Sequence, residues 1–135
     1  MRVKILSISS VAFEGDIRSA SIPTASGRIT VLSHHEPILS ALVPGVLTIV
    51  DSEENILHFA IGGGVLRVSD EILTILADMA EDGAALNTAE IESRRAQLAD
   101  EIAAARGSDK PEDIERLVAM EEEYVRESAR LQASR

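Results

Sequence analysis

The 135-residue chain is expected to be mainly β at its start and α at its end. A β-sandwich or flattened barrel over residues 1–86 precedes an antiparallel two-helix hairpin over 87–135. Three observations predict this. Seven of the eight glycines and three of the four prolines fall in residues 1–86, where they punctuate short runs rich in Ile, Val, Leu and Thr. From Asn87 onward a single glycine and a single proline remain, and apolar residues recur at helical spacing. The first segment is also long enough to close a modest core of its own, and strands at short, regular spacing indicate a sandwich or barrel.

The elements follow in order. Residues 3–9 read as the first strand and 13–16 (Phe-Glu-Gly-Asp) as a turn. Residues 16–23 read as a strand with Ile17 and Ile22 in the core. A turn at 25–28 leads to a strand at 29–32, then a loop at 33–37. Val43-Pro44-Gly45 is a turn before a strand at 46–50, and the polar loop 51–55 leads to a strand at 56–61. Gly62-Gly63-Gly64 interrupts the pattern, and strands at 65–68 and 72–77 flank a turn at 69–71.

The tail opens with Asn87 and Glu90, spaced as a capping box. Ile91, Leu98 and Ile102 recur on one face of the first helix, and Gly107 supplies a left-handed residue to end it. Asp109 and Glu112 offer a second capping box, with Pro111 in the first turn, where its missing N–H costs nothing. Ile114, Leu117, Val118, Tyr124, Val125 and Leu131 form the expected apolar stripe of the second helix, interrupted by Glu121 and Ser128. At about 1.5 Å per residue the helices are roughly 28 and 37 Å long. The short connection folds them back on each other, with Ala99, Ala103, Ala104 and Ala105 permitting close approach. So few large apolar side chains make an isolated pair marginal. The hairpin is therefore expected to dock on the head or on a partner, and to switch between the two.

Composition excludes several classes. The net charge of −10 disfavours nucleic acid and anionic lipid as partners. Only Phe13, Phe59 and Tyr124 are aromatic, too few for a base-stacking platform. The absence of cysteine excludes disulfides and thiolate metal sites. No segment approaches the roughly 20 apolar residues of a membrane helix, and the N-terminus reads as a strand rather than a signal peptide. The missing transit segment favours a bacterial or organelle-encoded chain.

No catalytic constellation emerges: the carboxylates cluster in turns and on helix faces, and no nucleophile elbow or triad is present. His34-His35-Glu36 and His58 lack metal-site spacing and read as exposed polar positions. The glycine triplet lies between two strands rather than before a helix, so it reads as a bulge or close backbone packing, not a phosphate cradle. Arg94, Arg95, Arg126 and Arg130 read first as helix-surface ion pairs, Glu122 with Arg126 among them, and second as an anion site between the helices.

Particular head motifs carry a resemblance. These are Phe13-Glu14-Gly15; Ser26-Gly27-Arg28-Ile29-Thr30-Val31-Leu32-Ser33-His34-His35-Glu36-Pro37, leading into Leu42-Val43-Pro44-Gly45-Val46-Leu47; and Gly63-Gly64-Val65-Leu66-Arg67-Val68, followed by Leu73-Thr74-Ile75-Leu76-Ala77-Asp78. In them the chain resembles the epsilon subunit family of the rotary F-type ATP synthase (delta in mitochondria). The resemblance covers essentially the whole chain, with the tail agreeing in architecture more than in sequence.

The resemblance implies a ten-stranded β-sandwich followed by the hairpin. It implies a non-catalytic place in the central stalk of a proton-translocating complex, bound to the gamma subunit and touching the c-subunit ring. Contacts with the catalytic alpha and beta subunits come through an extended hairpin, which inhibits ATP hydrolysis. The location implied is peripheral, at the cytoplasmic face of the bacterial inner membrane, without direct membrane insertion. Arg28, Ile29, Thr30, His34 and His35 fall in the loop that faces the c ring in the family. There Gly27, His35 and Pro37 match, whereas Arg28 stands for an acid, Thr30 for a glycine and Ser33-His34 for Pro-Gly.

Some bacterial members bind ATP at a motif of the form Ile/Leu-Asp-x-x-Arg-Ala. Here Ile91, Arg95 and Ala96 match, and Glu92, one methylene longer, stands for the aspartate; Arg126 and Arg130 are the candidate completion from the second helix. No cofactor is required, ATP enters only as a candidate regulatory ligand, and weak or absent binding is expected. Inhibition is expected to be mild and salt-sensitive, because only the last ten residues, with Arg126, Arg130 and Arg135 against Glu127, present net positive charge. The alternative is a free-standing nucleotide-sensing or adaptor module of the same fold, which needs no gamma-like partner.

Overall fold

A computed structural model describes residues 1–107 and 110–135. In chain order it holds β1 (Arg2–Ser7), β2 (Val11–Thr24), β3 (Gly27–Leu32), β4 (Ile38–Leu42), β5 (Gly45–Asp51), β6 (Ile56–Ile61), β7 (Gly64–Ser69), β8 (Ile72–Ala77) and β9 (Ala80–Asp82). A single 3-10 turn (Gly83–Ala85) then leads to α1 (Thr88–Ala105) and α2 (Pro111–Ser134).

The 14-residue β2 joins two layers. Its first half pairs with β1, from Arg2↔Asp16 to Leu6↔Val11. Its second half lies between β3 and β5, with Ala20 opposite Val31 on one side and Ile49 on the other. One layer therefore runs β2–β1–β8–β7–β4 and the other β3–β2–β5–β6–β9. Nine segments thus fill ten strand positions, because β2 serves in both layers. The β1–β8 pair is parallel and the other ladders are antiparallel.

Alternation along each strand builds the core. Val3 and Ile5 of β1, Leu66 and Val68 of β7, and Leu73 and Ile75 of β8 point inward from one layer. Ile22, Leu47, Ile49, Phe59 and Ile61 meet them from the other. Ile17 and Ile22 are buried, as expected.

The expected turn at 13–16 is instead the first half of β2. Gly15 pairs with Val3, and the Phe13 ring lies over Gly15 and packs against Phe59, with centroids 5.7 Å apart. Gly15 therefore lies inside a continuous strand, where a Cβ would meet the Phe13 ring at an ordinary contact distance of 3.4 Å. The reversal falls at residues 8–10, where the Ser7 amide donates to the Ser10 carbonyl at 2.9 Å. Strands β4 and β9 have no counterpart in the sequence reading. Both are short, and β4 is held mainly by its partner β7.

Asn87 caps α1 through its side-chain oxygen, which accepts from the Glu90 amide at 3.2 Å. Beyond the last turn Gly107 takes φ +92°. Of the second capping box, Asp109 lies outside the described residues; Pro111 sits in the first turn of α2.

The apolar stripe of α2 differs from expectation: Ile114, Val118 and Val125 are exposed, while Met120, Glu127, Ala129, Leu131 and Ala133 are buried. α2 is covered from two directions. α1 packs Leu98 and Ile102 against Met120, Leu117 and Tyr124, and the head covers the C-terminal half. Buried positions therefore lie on two faces, which a single-stripe reading merges. Of the alanines expected between the helices, Ala105 packs against the Leu98, Ile102 and Met120 cluster, whereas Ala99, Ala103 and Ala104 are exposed.

The glycine triplet is a site of close backbone packing. A Cβ on Gly64 would lie 2.0 Å from the Leu76 carbonyl oxygen, and one on Gly62 would overlap the Asp78 carboxylate. At Gly63 the nearest atoms are 4.0 Å away. Gly64→Ala is expected to destabilise the head by about 1–3 kcal/mol or more, and Gly63→Ala by far less. The urea midpoints of the two variants check this; equal midpoints would contradict it.

Candidate functional site

The hairpin rests on the β5–β6 side of the head, with α2 between the head and α1. The seam is thin because its side chains are small. Ala133 packs on Val46 and Ala60, with Met79 and Leu86 at the edge. Gly83 makes the closest approach possible: a Cβ there would sit 2.1 Å from the Ala133 carbonyl oxygen and 3.0 Å from that of His58. Asp82 holds this 3-10 turn by accepting from the Ala84 amide at 2.9 Å.

An ion cluster fixes the same seam. The Arg130 Nε donates to Glu81 of β9 at 2.7 Å, and its Nη1 to both oxygens of Glu127 at 3.0 and 3.1 Å. Partial burial works to lower the Arg130 pKa, but the hydrogen bond and charge of Glu81, with Glu127, outweigh it and hold the guanidinium above its ordinary range. Further out, Thr88 donates to Ser134 at 2.9 Å and Arg135 reaches Glu92 at 3.3 Å. Arg94 holds Glu123 across the hairpin at 2.8 Å, and that hydrogen bond raises the Arg94 pKa.

The candidate nucleotide residues are dispersed. Ile91 is buried, and Glu92 and Ala96 are exposed. Arg95 lies over the Tyr124 ring at 5.7 Å. Arg126, two positions on and so about 200° round α2 from Tyr124, lines a cleft of about 350 Å³ against Pro44, Gly62, Gly63 and Asp78. Arg130 is engaged by Glu81 and Glu127. In this docked arrangement Arg95 and Arg126 do not face one site.

The candidate ring-facing residues run along one edge of the head, from the start of β3 to the turn that follows it. Arg28, Ile29 and Thr30 belong to β3, and the turn after it carries His34 and His35. Arg28 reaches across β2, its Nε donating to the Ser21 hydroxyl at 2.7 Å and its Nη2 to the Val46 carbonyl at 2.6 Å. Its charge is thus tied to the sandwich. Ile29 packs on the core and Thr30 is exposed. His34 takes φ +64° and its amide donates to the Glu71 carboxylate, which ties this turn to the β7–β8 turn. His35 Nδ1 lies 2.7 Å from the Glu36 carbonyl oxygen.

The outer face of the other layer is bare. Val11, Leu6, Leu76, Val65 and Ala41 stand in register across five strands. Val11, Val65 and Leu76 are 58, 44 and 54% exposed, and neighbouring Leu39 is 73% exposed. A contiguous apolar row of this kind marks a surface that a partner covers.

Among the described residues no group of His, Asp or Glu can hold a metal ion, and no helix is long and apolar enough to cross a membrane.

The sequence model of the ATP synthase delta/epsilon chain β-sandwich domain matches residues 1–83. The chain belongs to the ATP synthase delta/epsilon family. It is 34% identical over 113 residues to the ATP synthase epsilon chain of Rhodopseudomonas palustris strain BisB18, covering 84% of this chain and 83% of that one. It is 33% identical over 106 residues to that of a serogroup C Neisseria meningitidis strain, covering 78 and 72%. In fold it is similar to a chain of the Euglena gracilis mitochondrial ATP synthase, with a TM-score of 0.72 at 19% identity, covering 93% of this chain and 74% of that one. A chain of the Tetrahymena thermophila central stalk and c-ring assembly gives 0.60 at 17%, covering 99 and 96%.

Within this delta/epsilon sandwich, sequence reasoning missed Gly83, Glu81, Glu127 and the apolar row. Gly83 stands just before the helical pattern begins and reads as one more turn glycine. Glu127 reads as surface, yet is 8% exposed. The row needed strand register, although the polar–apolar alternation of β7 and β8 already places Val65 and Leu76 off the core face.

Gly83→Val is expected to undock the hairpin while leaving the sandwich folded. Hydrogen exchange checks this. Amides of the last turns of α2 should lose protection by at least tenfold, about 1.4 kcal/mol, while those of β5 and β8 keep theirs.

Proposed function

We propose that the chain is the non-catalytic epsilon subunit of the central stalk of a proton-translocating F-type ATP synthase, coupling the rotor to the catalytic head and restraining ATP hydrolysis through its hairpin. Family membership supports the assignment. The observation that carries the mechanism is the contrast between the two faces of the head. One bears a hairpin held by small side chains and a few ion pairs, and the other bears a bare apolar row.

On this reading the apolar row receives the gamma subunit, and the edge formed by β3 and the turn carrying His34 and His35 meets the c ring. The subunit is peripheral, at the cytoplasmic face of the bacterial inner membrane. The hairpin docks in the resting state. Release breaks the Arg130–Glu81 pair, and separation of the two helices breaks the Arg135–Glu92 pair, freeing those arginines for acidic surface on the alpha and beta subunits. Docked and released states then differ by a few kcal/mol, a range that competing contacts can reverse.

A tagged chain with and without residues 87–135 is expected to recover gamma and the catalytic subunits equally from its host, because the stalk surface is on the sandwich. The assembled complex lacking the tail should hydrolyse ATP faster, and more so at low salt. An unchanged hydrolysis rate would reject the regulatory part, and loss of recovery by both forms would reject the stalk assignment.

ATP is proposed as at most a weak regulatory ligand, since Arg95 and Arg126 diverge and Arg130 is occupied. Calorimetric titration with MgATP is expected to give no saturable heat below millimolar concentration. Tight binding abolished by Arg95→Ala would overturn this.

A further inference from the structure

The row next to the apolar one is polar, and its charges are unevenly used. Lys4, Thr74 and Arg67 stand in register on β1, β8 and β7. With Ser69, Asp70 and Ile72 they line a shallow cleft of about 260 Å³. The head has few basic residues, and the other three are engaged. Arg2 pairs with Glu14 and Asp16, Arg18 with Glu54, and Arg28 with Ser21 and Val46. Among the described residues, neither Lys4 nor Arg67 has an ion pair or side-chain hydrogen bond. Glu14 stands opposite Lys4 on β2, but its carboxylate is 3.1 Å from Arg2. Asp70, in the turn after β7, lines the same cleft without forming an ion pair with either cation.

The geometry points to a partner surface of defined chemistry. We infer that the element covering this sheet carries an apolar stripe flanked on one side by two carboxylates, one for Lys4 and one for Arg67. The two cations are separated by one intervening strand, which sets them about 10 Å apart. The apolar row lies two residues further along the same strands, about 7 Å away. An element laid across the strands thus meets the apolar row and the basic pair at once. The hairpin occupies the other layer, and among the described residues no carboxylate pairs with either cation. In a chain of net charge −10, two unpaired cations beside an exposed apolar row select against wrong partners as much as they bind the right one.

This inference rests on the stalk reading, in which gamma is the covering partner. The test is equilibrium binding of the full chain to purified gamma subunit from the same source, over a range of salt. The Lys4→Glu/Arg67→Glu variant is expected to bind at least about tenfold more weakly and to lose most of the salt dependence of the unaltered chain. Lys4→Arg/Arg67→Lys should retain both. Thermal unfolding checks that each variant is folded, Arg67 being exposed and Lys4 half-buried. Unchanged affinity and salt dependence in the charge-reversed chain would overturn the inference. If Val65→Asp/Leu76→Asp still abolished binding, the stalk reading would stand without it. If the unaltered chain failed to bind gamma, both would fall. A dimer of the chain lost in Val65→Asp/Leu76→Asp would assign the face to a second copy and likewise overturn it.

Discussion

Everything in the head depends on β2 being continuous. Its first half pairs with β1 and its second half with β3 and β5, so one strand carries the chain from one layer into the other. The two inner faces are thereby fixed relative to each other before any side chain packs. Gly15 and the irregular register at Ile17–Ser19 let the strand bend and twist between layers. The same constraint decides which faces are left outward. On one layer the outer face receives the hairpin, and on the other it carries the apolar and basic rows.

The hairpin seam has the composition of a reversible contact. Val46, Ala60 and Ala133 bury little area compared with the Ile, Leu and Phe of the sandwich core. The closest approach, at Gly83, is backbone to backbone. What the seam lacks in area it regains partly through the Arg130 cluster, whose Glu127 lies nearly out of solvent. Such a cluster specifies one docking geometry, yet contributes less net stability than its short distances imply, because both charges lose water. That difference in buried area is what the proposed release of the tail from a folded head relies on. The small side chains and ion pairs of the tail form the regulatory element of the proposed mechanism, and the continuous sheet forms its rigid support.

Legibility in the sequence was uneven for physical reasons. Strands bounded by strong turn chemistry, such as β5, β6, β7 and β8, were placed within about a residue, since Pro-Gly, Asp-Ser-Glu-Glu-Asn and Ser-Asp-Glu interrupt alternating runs. The turn at 13–16 failed because a glycine does not always reverse the chain: Gly15 sits inside β2, paired with Val3, and local sequence does not distinguish the two cases. The stripe on α2 failed because the helix is covered on two sides, which spreads its buried positions round the cylinder. The arginines looked like a cluster because i,i+4 spacing groups Arg126 with Arg130. Register against α1 and the head then sent Arg95 and Arg126 to different sides.

The sequence by itself determined the division into β head and helical tail, the core residues Ile17 and Ile22, the Asn87 cap and the family. These depend on periodicity, on caps or on motifs contained in a short window. The tertiary structure alone decided where the hairpin docks, which of its charges are engaged, and which outer face is bare. Those outcomes depend on which strands become neighbours. Cross-strand register brings Lys4 beside Arg67 and Leu6 beside Leu76 from opposite ends of the head, and no local pattern records that adjacency.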